Sequence, residues 1–205
     1  LGLIVKLLSK KPSGRHAGNA IMGFGLMFIG LGILHSGAPL IKDSKFAYDL
    51  FREYGQNPFI GLLIGITATM LVQSSSATVG LTIVLFNSGL ISFEAALGLT
   101  LGDNIGTCIT AQIASIGTSR AARQTAWAHT LYNAIGVLLA FAFLTPFANL
   151  IRYATEMLGQ DQTRLVANTH TVFNVLSASV FLPFTKMYIA FIQWLIPERK
   201  IRVNR

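Results

Sequence analysis

The chain has 205 residues, of which 52% are hydrophobic and only 12% charged, with a formal net charge of +8. Charges are confined to short segments between long apolar stretches, which excludes an ordinary soluble domain and points to an all-α polytopic membrane protein. The Lys and Arg residues stand at the ends of apolar spans, where membrane topology and anionic headgroups account for them better than nucleic acid does. The one cysteine, Cys108, excludes an intrachain disulfide and a cysteine metal cluster.

Residues 1–16 begin apolar and turn basic at Lys6, Lys10, Lys11, Arg15 and His16, a cytoplasmic segment by the positive-inside rule. Because Leu1 falls inside an apolar run, the chain is expected to be cut from something longer. Residues 17–197 read as one transmembrane domain. Its first part, 17–38, is uncharged, glycine-rich and long enough to cross once. In 41–56, Phe46, Leu50, Phe51 and Tyr54 recur at helical spacing against Lys42, Asp43, Lys45, Asp49, Arg52 and Glu53, which predicts an amphipathic helix lying at the interface.

Two uncharged arms, Pro58 to Val72 and Val79 to Gly89, then flank the polar run Gln73-Ser74-Ser75-Ser76-Ala77-Thr78. At about 1.5 Å per residue the first arm measures roughly 21 Å, short of the roughly 30 Å hydrocarbon core. Three consecutive serines favour side-chain to backbone hydrogen bonds over helix continuation. The pattern predicts a re-entrant helical hairpin over 58–91 with a hydroxyl-lined tip, tolerated at membrane depth only where it is buried or lines a watery cavity.

Residues 93–116 form another apolar segment, interrupted by Gly102-Asp103-Asn104-Ile105-Gly106-Thr107. Glycine at a helix end followed by Asp or Asn at the next N-cap predicts a discontinuous transmembrane helix with Asp103 near its middle. A carboxylate at that depth is a functional candidate, capping of the second half-helix being the simpler alternative. After a short loop with Arg120 and Arg123, residues 124–147 cross again, 149–164 read as a second surface helix, and 165–195 form a last apolar stretch divided at Pro183. Residues 198–205 are a basic cytoplasmic tail. If 59–91 turns back on itself, both termini and the Arg120/Arg123 loop share the cytoplasmic side, as the positive-inside rule requires. His129-Thr130-Leu131-Tyr132-Asn133 is echoed by His170-Thr171-Val172-Phe173-Asn174, for which helix capping and interhelical hydrogen bonding are preferred over a ligand role.

A broken helix offers free carbonyls to a cation and free N–H groups to an oxyanion at one depth. Gln73 and the carbonyls before it can give oxygen to sodium. Ser74, Ser75, Ser76 and Thr78 place hydroxyls beside the start of the second arm. Asp103, Asn104 and Thr107 supply a charge and further oxygen ligands. Two such breaks suit a cation-coupled anion transporter with its substrate at the midplane.

With Ala128-His129 and Asn133, these two motifs resemble one repeat of the type II sodium-dependent phosphate cotransporter family over roughly residues 18–140. The resemblance implies two inverted repeats, each contributing a QSSS hairpin, with phosphate and sodium where the hairpins meet. It implies that Ser74, Ser75 and Ser76 contact phosphate or sodium and that Gln73, Asn104 and Thr107 help coordinate sodium. Asp103 departs from the small apolar residue usual in the family, and Cys108 from its frequent threonine.

The expected function is therefore sodium-coupled phosphate symport by a multi-pass protein of the plasma membrane with both termini cytoplasmic. Its expected partners are phosphate, sodium as coupling ion, the lipid bilayer, and a companion repeat or second copy of the chain. No other cofactor and no nucleic acid is expected. The rivals are a channel or non-transporting scaffold that keeps the fold, and an intramembrane serine hydrolase using a QSSS serine with His129 or His170.

Overall fold

The computed structural model describes residues 1–197, with backbone alone at 38, 40–42, 47 and 48; the predicted basic tail 198–205 lies outside the described residues. The described residues form ten α-helices and two short 3-10 turns, in two compact units divided after Tyr48.

The first unit holds α1 (Gly2–Leu8) and α2 (Pro12–Asp43). These two meet at Gly2 and Gly18, where a Cβ on Gly18 would lie 2.6 Å from the Lys6 nitrogen. The basic residues Arg15 and His16 enter α2 itself, which runs past the expected 17–38 span and through Pro39. A third helix, α3 (Lys45–Tyr54), carries the amphipathic pattern only from Lys45 on, since 41–43 of the single helix expected over 41–56 belong to α2, and it leads into the second unit.

The second unit is built on α4 (Pro58–Val72), α5 (Ser75–Asn87) and α6 (Phe93–Ser115). Asn57 caps α4, its side-chain oxygen accepting from the N–H of Phe59 at 2.9 Å, and Pro58 occupies the first turn, where its missing N–H costs nothing. The helix stops at Gln73, whose φ of 55° is left-handed, and Ser74 caps the next one. The chain doubles back there. Thr69 and Thr78 would stand about 13 Å apart along an unbroken helix, yet their hydroxyls are 3.0 Å apart.

Where the sequence predicts a broken helix over 93–116, α6 is continuous through Gly102-Asp103-Asn104-Ile105-Gly106-Thr107, so Asp103 caps nothing. The reason is tertiary. A Cβ at Gly98, Gly102 or Gly106 would run into the backbone oxygen of Pro58, Leu62 or Ile66 respectively, and one at Gly61 or Gly65 into that of Ala95 or Leu99. The glycines are therefore the contact surface of two helices in close approach. Because the partners ascend together, α4 and α6 run parallel, and α5 has to carry the chain back between them.

On its other side α6 packs through Phe93, Leu97 and Leu101 against Val137 of α7 (Arg120–Ala142), Phe147 and Ile151 of α8 (Leu144–Met157), and Phe173 of α9 (Leu165–Phe181). The axis turns by 92° between α7 and α8. Helix α8 is tied back to the start of α6 by Arg152, which donates to Glu94 at 2.6 Å and lies over the Phe93 ring. A 3-10 turn at Leu182–Phe184, containing Pro183, separates α9 from α10 (Thr185–Leu195), the division expected at that proline.

Among the described residues, Pro12–Gly37 and Gln162–Leu195 are long and apolar enough to cross a membrane, and α7 with α8 makes a third if the bent pair is one span. Helices α4 and α5 are apolar but shorter.

Candidate functional site

Asp103 is fully buried near the centre of α6. Its Oδ1 accepts from the Thr69 hydroxyl at 2.7 Å, which joins it to the hairpin through Thr78. Its Oδ2 is buried with no hydrogen-bond partner, alone in this among the described residues. An unpaired carboxylate oxygen in a protein interior costs several kcal/mol unless a cation or proton joins it.

Asp103 belongs to the lining of a polar cavity of about 230 Å³. Helix α6 contributes Asp103, Asn104 and Thr107; α5 contributes Ser75 from its first turn; α7 contributes His129, Tyr132 and Asn133; α9 contributes His170 and Asn174. Asp103 and Thr107, His129 and Asn133, and His170 and Asn174 are each four residues apart, the spacing that puts two side chains on one helix face. One N–H of each asparagine is turned to its own helix: Asn104 donates to the Thr100 carbonyl at 2.9 Å, Asn133 to that of His129 at 3.1 Å, and Asn174 to that of His170 at 2.8 Å, while Asn133 also donates to Cys108 Sγ at 3.4 Å. Each amide oxygen is left as an acceptor. Thr107 donates to the Asp103 carbonyl at 2.8 Å and keeps its lone pairs.

The sequence-expected residues are thus partly gathered. Ser75, Asp103, Asn104 and Thr107 share the cavity. Thr78 is buried one step behind it, against Thr69. Ser74 serves as N-cap of α5, accepting from Ala77 at 3.4 Å, while Gln73 and Ser76 are exposed at the tip of the bend. The echoed His and Asn residues, read from sequence as capping and interhelical hydrogen-bonding groups, lie inside their helices rather than at caps; Asn133 does bond across to Cys108 Sγ of α6 at 3.4 Å, and both His–Asn pairs line the cavity. The repeated four-residue His-to-Asn spacing was the available signal. Although Ser75 shares the cavity with two imidazoles, no hydrogen bond joins it to either among the described residues, as nucleophilic activation would need.

Of the helices around this polar cavity, α9 lies in a stretch long and apolar enough to cross a bilayer, as does the bent pair of α7 and α8 if taken as one span, the architecture of a membrane protein. The chain belongs to the Na+/Pi-cotransporter family, whose pattern matches residues 44–159. It is 35% identical over 199 residues to the protein YqeW of Bacillus subtilis, covering 97% of this chain and 63% of that one. It is 28% identical over 198 residues to the "Putative inorganic phosphate export protein YjbB" of Salmonella typhimurium, covering 97% and 36%. With sodium-dependent phosphate transport protein 2A of Rattus norvegicus the identity is 33% over 128 residues, or 58% and 20% of the two chains. The chain spans less than two thirds of the length of these relatives. No solved structure matches it.

Proposed function

We propose that the chain is one repeat of a sodium-coupled phosphate carrier in which α4 and α5 form a re-entrant hairpin. The observation that carries this reading is the cavity shared by Ser75 and Asp103, whose Oδ2 is buried without a partner. One faces it from the N-terminal turn of α5, where free N–H groups and the helix dipole favour an oxyanion. The other demands positive charge.

In this reading Ser74, Ser75, Ser76 and Thr78 supply hydroxyls to phosphate at the tip, and Asp103, Asn104, Thr107 and Gln73 supply oxygen to sodium. The exposure of Gln73 and Ser76 fits a site completed by a second, inverted hairpin from a companion repeat or another copy of the chain. Coupling follows from charge: sodium at Asp103 removes a carboxylate's repulsion from the approaching anion. Net direction is set by the two gradients, so the same machinery serves uptake or export.

The test is radiolabelled phosphate flux in proteoliposomes carrying the protein together with its companion repeat, with sodium replaced by potassium. Flux that saturates with phosphate and collapses in potassium supports the carrier; flux indifferent to the cation would leave the channel or scaffold reading in its place. Serine-reactive phosphonate should leave Ser75 unlabelled.

A further inference from the structure

The first unit carries a charge arrangement that the polar cavity does not use. Residues 1–41 hold Lys6, Lys10, Lys11 and Arg15, with His16, and no carboxylate at all. Helix α1 folds back along the start of α2 over bare backbone. A Cβ on Gly2 would meet the Met22 nitrogen at 2.7 Å, one on Gly18 the Lys6 nitrogen at 2.6 Å, and one on Gly14 the Ser9 hydroxyl. The pairs 2 with 22, 6 with 18 and 9 with 14 descend as they rise, so the two helices are antiparallel and in close approach.

The turn between them is tied to itself. The Ser9 hydroxyl donates to the Lys11 carbonyl at 3.2 Å, and Arg15 Nε donates to the Ser9 carbonyl at 3.3 Å. Charges that the sequence spreads over residues 6–15 are thereby gathered onto one turn. Lys10, Lys11, Arg15 and His16 are exposed, and none of the four Lys and Arg residues has an ion-pair partner among the described residues. Arg15 keeps the two terminal nitrogens of its guanidinium, the pair that grips an oxyanion through parallel hydrogen bonds. Membrane orientation asks only for a number of basic residues on one side; it does not ask that they converge.

The flanks of the turn are apolar. On α1, Leu3, Ile4, Leu7 and Leu8 stand 56%, 57%, 73% and 77% exposed, on the side away from the Gly2, Lys6 and Ser9 line of contact. Helix α2 runs on as a stretch long and apolar enough to cross a bilayer. We propose that the turn between α1 and α2 is a binding surface for anionic lipid headgroups. Arg15, Lys10 and Lys11 hold the phosphodiester oxygens, and the α1 leucines lie along the acyl chains. Dissolved phosphate offers the same oxygens but nothing to cover four exposed apolar side chains, so a lipid is the occupant that matches both halves of the surface.

The test is binding of a fluorescent phosphatidylglycerol to the purified full chain in neutral detergent, compared with phosphatidylcholine of the same acyl chains and with inorganic phosphate as competitor. Wild type should prefer phosphatidylglycerol by about fivefold for each basic residue engaged. Lys10→Gln, Lys11→Gln and Arg15→Gln combined, all at exposed positions, should abolish the preference, whereas Lys45→Gln with Arg52→Gln should keep it. Gly18→Leu retains every charge but forces α1 off α2, and should lose the preference too. Equal binding of the two lipids by wild type, or an unchanged preference in the triple variant or in Gly18→Leu, overturns the proposal. So does loss of preference in the Lys45 and Arg52 control, which would mean diffuse attraction, or displacement of the lipid by an equal concentration of inorganic phosphate.

Discussion

The backbone N–H of Ser92 donates to the carbonyl oxygen of Gly55 at 2.9 Å, so the chain that departs from Gly55 to build α4 is back at the same point before α6 begins. Had α4 and α5 together crossed a bilayer, those two residues would be parted by about 30 Å. Gln56 and Asn87, both exposed, flank the two ends of this excursion. Cysteines placed at these two positions should be labelled by a membrane-impermeant maleimide from the same face of a vesicle. Labelling from opposite faces would dispose of the hairpin.

Thr69 is the hinge between hairpin and carboxylate. Thr69→Val keeps shape but removes the hydroxyl that satisfies Asp103 Oδ1 and meets Thr78. Leaving a buried polar group unsatisfied costs about 1–3 kcal/mol. The melting temperature should fall accordingly, sodium should recover more of it than in wild type, and Thr69→Ser should behave as wild type. A Val variant of unchanged stability and sodium response would remove Thr69 from the ion site.

The contact between α4 and α6 depends on bare backbone. Gly102→Ala or Gly65→Ala would drive a methyl into a carbonyl of the facing helix, and overpacking of this kind costs about 1–3 kcal/mol or more. Gly23→Ala and Gly25→Ala, with no neighbouring atoms around the added carbon, should cost nothing and give the control. Thermal unfolding in detergent reads the difference.

Gln73 combines a strained backbone with a proposed sodium oxygen. Its φ of 55° is a conformation that glycine adopts without penalty. Gln73→Gly should therefore leave stability unchanged or raise it by on the order of 1 kcal/mol, read as an equal or higher melting temperature. Its sodium dependence of phosphate flux should nevertheless weaken. Unaltered sodium dependence would confine Gln73 to shaping the bend.

Acid stability offers a local check at the connection from α8 to α9. The Thr163 hydroxyl and then its backbone N–H bond the Asp161 carboxylate and hold it below the ordinary carboxylate range. A depressed value means that the contribution is present at neutral pH and lost only as pH falls below about 4. Thr163→Val should move the Asp161 titration, followed by carboxyl carbon NMR, upward towards the ordinary value. The variant should be somewhat less stable than wild type at neutral pH and equal to it once the carboxyl is protonated.

A bend beside the serine run, the start of α4 at Asn57-Pro58 and the division at Pro183 were legible because each follows from residues adjacent in sequence, although the break expected at Ser74 to Ser76 falls at Gln73–Ser74 and Ser75 and Ser76 open α5. Asp103 was legible as a candidate because a carboxylate between apolar arms has few bland explanations. The continuity of α6 was not. Gly102, Asp103 and Asn104 spell a stop and restart when read locally, whereas their roles are set by what lies across from them: Leu62 against Gly102, Thr69 against Asp103. The every-fourth-residue glycines at 61 and 65 and at 98, 102 and 106 carried that information, but only once the two helices are set side by side. The cavity wall of α7 and α9 escaped for the same reason, since His129 and His170 acquire a common purpose through tertiary proximity alone.

The glycine seam also restricts how the hairpin can travel. Carbonyls of one helix rest in notches of the other at intervals of one turn, so intermediate positions along the groove lack seats. A sliding α4 would have to hop by a full pitch, about 5.4 Å. Any shift of the helix that leads to the serines would thereby be stepwise, its stations set by main chain rather than by side chains.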